Sequence, residues 1–123
     1  MAMIDHVAFY VSDLDASRRF YEQALAPLDY GVAFELEGMV AFGPAGRPRL
    51  ALRVGEEPSR TGHVAFEADD HGTVDAFYAA AMAAGGSDNG PPGIRENYHP
   101  TYYAAFVHDP DGNNVEVVNW RPE

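Results

Sequence analysis

The chain repeats itself. His6-Val7-Ala8-Phe9 returns as His63-Val64-Ala65-Phe66, an offset of 57 residues. At the same offset Asp13 meets Asp70, Phe20-Tyr21 meets Phe77-Tyr78, and Ala24 meets Ala81. Several matches in one gap-free register point to two copies of a single supersecondary unit. The copies span residues 1–57 and 60–123 and join near Glu56-Glu57-Pro58-Ser59. Each is too short to bury a core by itself, so the two are expected to share one within a single domain.

Each copy opens on an extended segment followed by a helix. Residues 3–11 are extended, and Ser12-Asp13-Leu14-Asp15 is a helix start with acidic residues at the positive end. Ala16, Phe20 and Ala24 recur at helical spacing, and Pro27 marks the exit. Short strands follow at 31–36, 39–42 and 49–54, the last two separated by Gly43-Pro44-Ala45-Gly46. The second copy has a strand at 63–68 and a helix at 73–84 with the apolar stripe Val74, Phe77, Tyr78 and Ala81. Gly85-Gly86 stop that helix, and 87–92 reads as a loop. Strands at 102–107 and 114–118 flank the turn Asp109-Pro110-Asp111-Gly112. One strand of this copy, near Ile94, is hard to place. The predicted class is α+β: two paired β-α-β-β-β modules whose sheets curve around a central cavity, with the helices outside.

Charge narrows the function. Nineteen acidic against eight basic residues give a net charge of −11. Such a chain lacks the cations that nucleic acid or an anionic membrane surface requires. With no cysteine, disulfides, thiolate metal sites and cysteine nucleophiles are excluded. The N-terminus has no basic-then-apolar leader pattern, and no apolar run approaches the roughly 20 residues of a membrane span. A cytoplasmic protein is the expectation.

Strand alternation sorts the side chains. Val7, Phe9 and Val11 share the face that suits packing under a helix, and His6, Ala8 and Tyr10 share the other. Val64 and Phe66 repeat the first face, and His63 and Ala65 the second. In the last strand Glu116 interrupts the apolar run 115–118, and a buried carboxylate is costly unless it is paired or bound to metal. Two histidines and one carboxylate on strands form the donor set of an open iron, manganese, nickel or zinc site. His6, His63 and Glu116 are therefore the candidate metal ligands; no organic cofactor is expected.

These segments resemble the vicinal oxygen chelate superfamily, which includes glyoxalase I, extradiol dioxygenases, fosfomycin-resistance proteins and bleomycin-binding proteins. The resemblance is carried by Ile4-Asp5-His6-Val7-Ala8, by Gly62-His63-Val64-Ala65-Phe66, and by Asp109-Pro110-Asp111-Gly112-Asn113-Asn114-Val115-Glu116. It implies metal ligands on the first and last strands of each module, where His6, His63 and Glu116 stand. Leu50 and Leu52 take the inward positions of the fourth ligand strand, a departure from glyoxalase I, which has Glu or Gln there. The implied function is that of a small metal-dependent lyase, isomerase or dioxygenase-type enzyme acting on a small oxygenated molecule. The alternative is a metal-free binding protein of the bleomycin resistance type, for which an acidic cavity suits a cationic ligand. A homodimer is expected by the same resemblance.

The remaining candidates surround Glu116. His99 and Tyr103 precede its strand and, with Glu116, are assigned catalytic roles in proton transfer or orientation. Tyr10, Arg95 and Tyr102 are assigned to substrate binding, Arg95 as a bidentate clamp for an anionic group. Residues 86–100 are expected to close one side of the cavity, with Arg95, His99 and Tyr103 supplying polar contacts. His71 and His108 read as solvated.

Overall fold

The computed structural model describes residues 4–122; the predicted start of the first strand at Met3 lies outside them. The elements in order are β1 (Val7–Val11), α1 (Leu14–Ala24), β2 (Tyr30–Leu36), β3 (Met39–Pro44), β4 (Leu50–Val54), β5 (His63–Glu67), α2 (His71–Ala83), β6 (Ser87–Ile94), β7 (Tyr103–His108) and β8 (Asn114–Asn119). A 3₁₀ turn at Ala26–Leu28 follows α1. Each module folds into its own four-stranded mixed sheet, ordered β1-β4-β3-β2 and β5-β8-β7-β6. In each, the first strand runs parallel to the last and the other pairs are antiparallel.

The modules share one core. Val11, Phe20, Tyr21, Phe42, Leu50 and Leu52 of the first pack in the same cluster as Phe66, Val74, Phe77, Val107 and Val115 of the second. The helix-covered faces of both sheets contribute to it, so the faces bearing His6 and Glu116 are turned the other way. Gly86 lets the two modules pack closely: a Cβ there would lie 2.4 Å from Val107 Cγ1 and 2.7 Å from Phe20 Cε1. Among the described residues no helix is long and apolar enough to cross a membrane.

Both helices start on the repeated aspartate. Asp13 Oδ1 accepts the Ala16 N–H at 3.1 Å, and Asp70 Oδ1 accepts that of Thr73 at 2.7 Å. Hydrogen bonding from Thr73 holds the Asp70 carboxyl below its ordinary value of 3.8. A depressed folded-state pKa means that the folded chain binds fewer protons here. The contribution is present above the ordinary value and lost as pH falls through the folded one. Acid should therefore weaken the wild type more steeply than Asp70→Asn, which keeps the cap without the charge; denaturation midpoints on either side of pH 3.8 would show it, and parallel curves would refute it.

Two sequence expectations need correction. Residues 87–92 belong to β6 and are not a loop. Pro91 and Pro92 fit because β6 is an edge strand, paired only with β7, and its register breaks between Asp88 and Gly90 and again between Gly90 and Gly93. The inward residue of β4 is Ala51, opposite Ala8, whereas Leu50 and Leu52 are fully buried on the helix side. Register was decided by the parallel pairing with β1, and a one-residue shift exchanges the two faces.

Candidate functional site

Glu116 sits mid-strand in β8, with Ala65 of β5 on one side and Phe106 of β7 on the other. It is 2 % exposed. A carboxylate this deep needs donors, and two are supplied. His63 Nε2 lies 2.8 Å from Glu116 Oε1, and the Tyr102 hydroxyl donates to Oε2. Burial pushes the Tyr102 hydroxyl far above its usual 10.0, and the hydrogen bond to Glu116 and its negative charge add to the shift. Tyr102 is therefore held protonated as a donor. The imidazole of His63 is half exposed, so the cluster runs from a dry carboxylate to an accessible ring.

An aromatic wall backs this cluster. The Tyr102 ring meets Tyr98 at 5.0 Å and Trp120 at 4.8 Å, both edge-on, and Trp120 meets His99 at 5.5 Å. Phe106 stands 6.4 Å from the His63 ring. Arg95 lies over Phe106, 5.3 Å from the ring centroid, beside a cavity of about 330 Å³.

The sequence-assigned residues separate into those near Glu116 and those elsewhere. His63, Tyr102 and Glu116 converge. His6 Nδ1 is 2.8 Å from Asp5 Oδ1, and Arg49 donates to the Asp5 carbonyl. His6 and His63 both border a cavity of about 390 Å³. Among the described residues, however, no three His, Asp or Glu side chains come together closely enough to hold an ion. Of the three expected donors, His63 and Glu116 are joined and His6 stands apart with Asp5. Tyr10 is exposed on the His6 face.

Three assignments move. Tyr103 points to the helix side, where its hydroxyl donates to Asp75 at 2.6 Å and its ring stacks on His71 at 3.7 Å. Its neighbour Tyr102 takes the Glu116 side because strand residues alternate. His71 is accordingly not simply solvated. His99 Nδ1 engages Thr101 at 2.9 Å, and its ring meets Trp120 edge-on. Arg95 donates to the carbonyls of Gly93 and Pro91 at 2.9 and 2.7 Å. Sequence reading missed Phe106 and Trp120. The signal for Phe106 was its even spacing from Tyr102, which places both on the Glu116 face.

A model of the Glyoxalase/Bleomycin resistance protein/Dioxygenase superfamily matches residues 3–117. The chain belongs to that superfamily. A glyoxalase/bleomycin resistance protein from Albidiferax ferrireducens T118 is 28 % identical, with a TM-score of 0.85 over 96 % of this chain and 99 % of that one. A lactoylglutathione lyase from Agrobacterium tumefaciens is 26 % identical, with a TM-score of 0.70 over 97 % of this chain and 94 % of the other. A glyoxalase-related enzyme from Fulvimarina pelagi, 21 % identical, with a TM-score of 0.73 over 97 % of this chain and 88 % of that one, shares the fold. No curated protein matches the sequence. As a superfamily member the chain carries the paired-module fold and, in its second module, a buried carboxylate tied to a histidine and a tyrosine.

Proposed function

We propose that this superfamily member is a small enzyme of the lyase, isomerase or dioxygenase type, acting on a small oxygenated molecule at the Glu116 face of its second module. The observation that supports this most is the buried Glu116 carboxylate bridged to His63 and Tyr102. Glu116 orients the His63 ring and keeps charge next to it. Tyr102, held as a donor, presents a phenol at the same point. In the ion-free cluster His63, donating through Nε2, leaves Nδ1 as an acceptor that can take a proton from a substrate carbon or hydroxyl; as an ion ligand it would not serve as that base. The aromatic wall of Tyr98 and Trp120 shields one flank from water.

A divalent ion, iron, manganese, nickel or zinc, is part of the proposal; His63 and Glu116 would hold it, and His6, which stands apart with Asp5, would complete the set only by leaving that partner. Bound there it would polarise a substrate oxygen as a Lewis acid. The test is metal analysis of protein purified without chelators or a histidine tag. About one ion per site is expected in the wild type, and His63→Ala should lose it. A chain that takes up no ion, while still binding small aromatic cations, would favour the second reading: a binding protein of the bleomycin resistance type. The aromatic cluster of Tyr98, Tyr102 and Trp120 beside an acidic residue is the observation behind that reading. In either case a homodimer would cover Tyr10, Phe34, Leu36 and Val54, large apolar side chains left exposed on the first module. Light scattering should then report twice the chain mass.

A further inference from the structure

We propose that the cavity beside Arg95 is an anion subsite that takes the carboxylate of a small monocarboxylate. Gly90 and Gly93 make room for the guanidinium. A Cβ on Gly90 would lie 3.0 Å from both Arg95 Nη2 and the Phe106 ring, and one on Gly93 would lie 3.2 Å from Nη1. Into that cradle the side chain donates to Pro91 O at 2.7 Å and Gly93 O at 2.9 Å, and it lies on Phe106. The glycine- and proline-rich sequence of β6 thereby has a purpose beyond a turn. It clears and grips one planar cation, and the remaining N–H donors of the guanidinium are left for a ligand.

That cation is the uncommitted one on the second module. Arg60 is 3.9 Å from Asp111, and Arg121 is 3.8 Å from Asp69. Among the described residues no carboxylate lies within salt-bridge distance of Arg95. The cavity is lined further by Asn89, Asn97, Asn114 and Tyr98. A volume of about 330 Å³ is small for a ligand site. A fixed guanidinium matches a carboxylate bidentately. A dianion facing one arginine on a chain of net charge −11 would be poorly balanced. Tyr98 offers a flat apolar wall to the rest of the molecule.

The subsite and Glu116 are neighbours, because Phe106, under Arg95, is paired in register with Glu116. This assignment rests on the proposed function only in placing the reacting end of the substrate at Glu116. Benzoate, benzamide and inorganic phosphate serve as probes, titrated into the ¹⁵N-labelled full chain in a buffer free of other carboxylates and phosphate. Benzoate should shift the Arg95 Nε–H and the Gly90 and Gly93 amides in a saturable way. Benzamide should bind at least about tenfold more weakly, since it lacks the charge-assisted pair, and phosphate should bind as weakly, since it has no ring to set against Tyr98 and carries charge that one arginine does not balance. Arg95→Met should lose the same factor, and Gly93→Ala, which crowds the guanidinium without removing it, should lose part of it. Equal binding of benzamide, equal binding of phosphate, or saturable shifts that bypass Arg95 would each overturn the assignment in the wild-type chain, whether or not the variants fold. Benzoate binding needs no ion. Its failure removes the subsite alone, whereas absence of metal removes the proposed enzyme and leaves the subsite standing.

Discussion

Glu116→Ala should abolish ion retention and lower turnover by about 100-fold or more, the usual scale for deleting a positioned acid–base or ligand group. The same variant has a readout that needs no substrate. Tyr102 is held protonated by burial, by its bond to Glu116 and by that carboxylate's charge. Taking the carboxylate away removes two of these causes and leaves burial. The Tyr102 ionisation should therefore fall toward its usual value of 10.0 in an ultraviolet pH titration. Trp120, the one tryptophan, sits 4.8 Å from Tyr102 and should report the change in its emission. Glu116→Gln should give a smaller fall, because its side-chain oxygen still accepts from Tyr102 while the charge is gone. A Tyr102 ionisation that does not move in either variant would mean that the carboxylate does not govern this cluster.

How much of this was legible in the sequence depends on whether the signal was local. The helix side of β1 and β5 was visible because Val7, Phe9, Val11 and Val64, Phe66 alternate with polar or small residues, and the repeat doubled the evidence. The pairing of His63 with Glu116 was also within reach, since both face away from the helices. Tyr102 and Tyr103 are adjacent, and nothing but strand parity tells which one meets Glu116. The inward position of β4 fell on Ala51 and not on a leucine, because register is a property of two strands and cannot be read from one. β6 was hidden by its own composition: prolines and glycines that ordinarily mark a loop are compatible with an edge strand. His6 drew attention for its position, but its immediate neighbour Asp5 holds the ring at 2.8 Å.

Asp109→Ala should be the most destabilising single substitution among these predictions, at about 3–5 kcal/mol. The turn that reads in sequence as Asp109-Pro110-Asp111-Gly112 does more than reverse the chain. Asp109 is buried and accepts the Tyr21 hydroxyl at 2.5 Å, the backbone N–H of Asp111 and Asn113 at 2.9 Å each, and the Asn113 amide. Tyr21 belongs to α1, so this carboxylate ties the second module to the helix of the first. Burial, with the negative charge of Asp109 beside it, pushes the Tyr21 hydroxyl well above its usual range, which keeps it a donor. Asp111 accepts from Ser12 at the end of β1, and Asn113 accepts from Ser59 and Gly62 in the linker. Removing Asp109 orphans a fully buried phenol and several N–H groups at once, each costing roughly 1–3 kcal/mol if left dry. Tyr21→Phe takes away a single donor and leaves the rest of the network, so about 1.5–3 kcal/mol is expected. For a chain of this length the larger loss corresponds to a fall in Tm of about 10–20 °C. The order is the discriminating result. If Asp109→Ala and Tyr21→Phe cost the same, the backbone donors find other partners, and the turn is a local feature and not a latch. If the order holds, the buried carboxylate of this turn latches the second module to the helix of the first, on top of the core the two modules share.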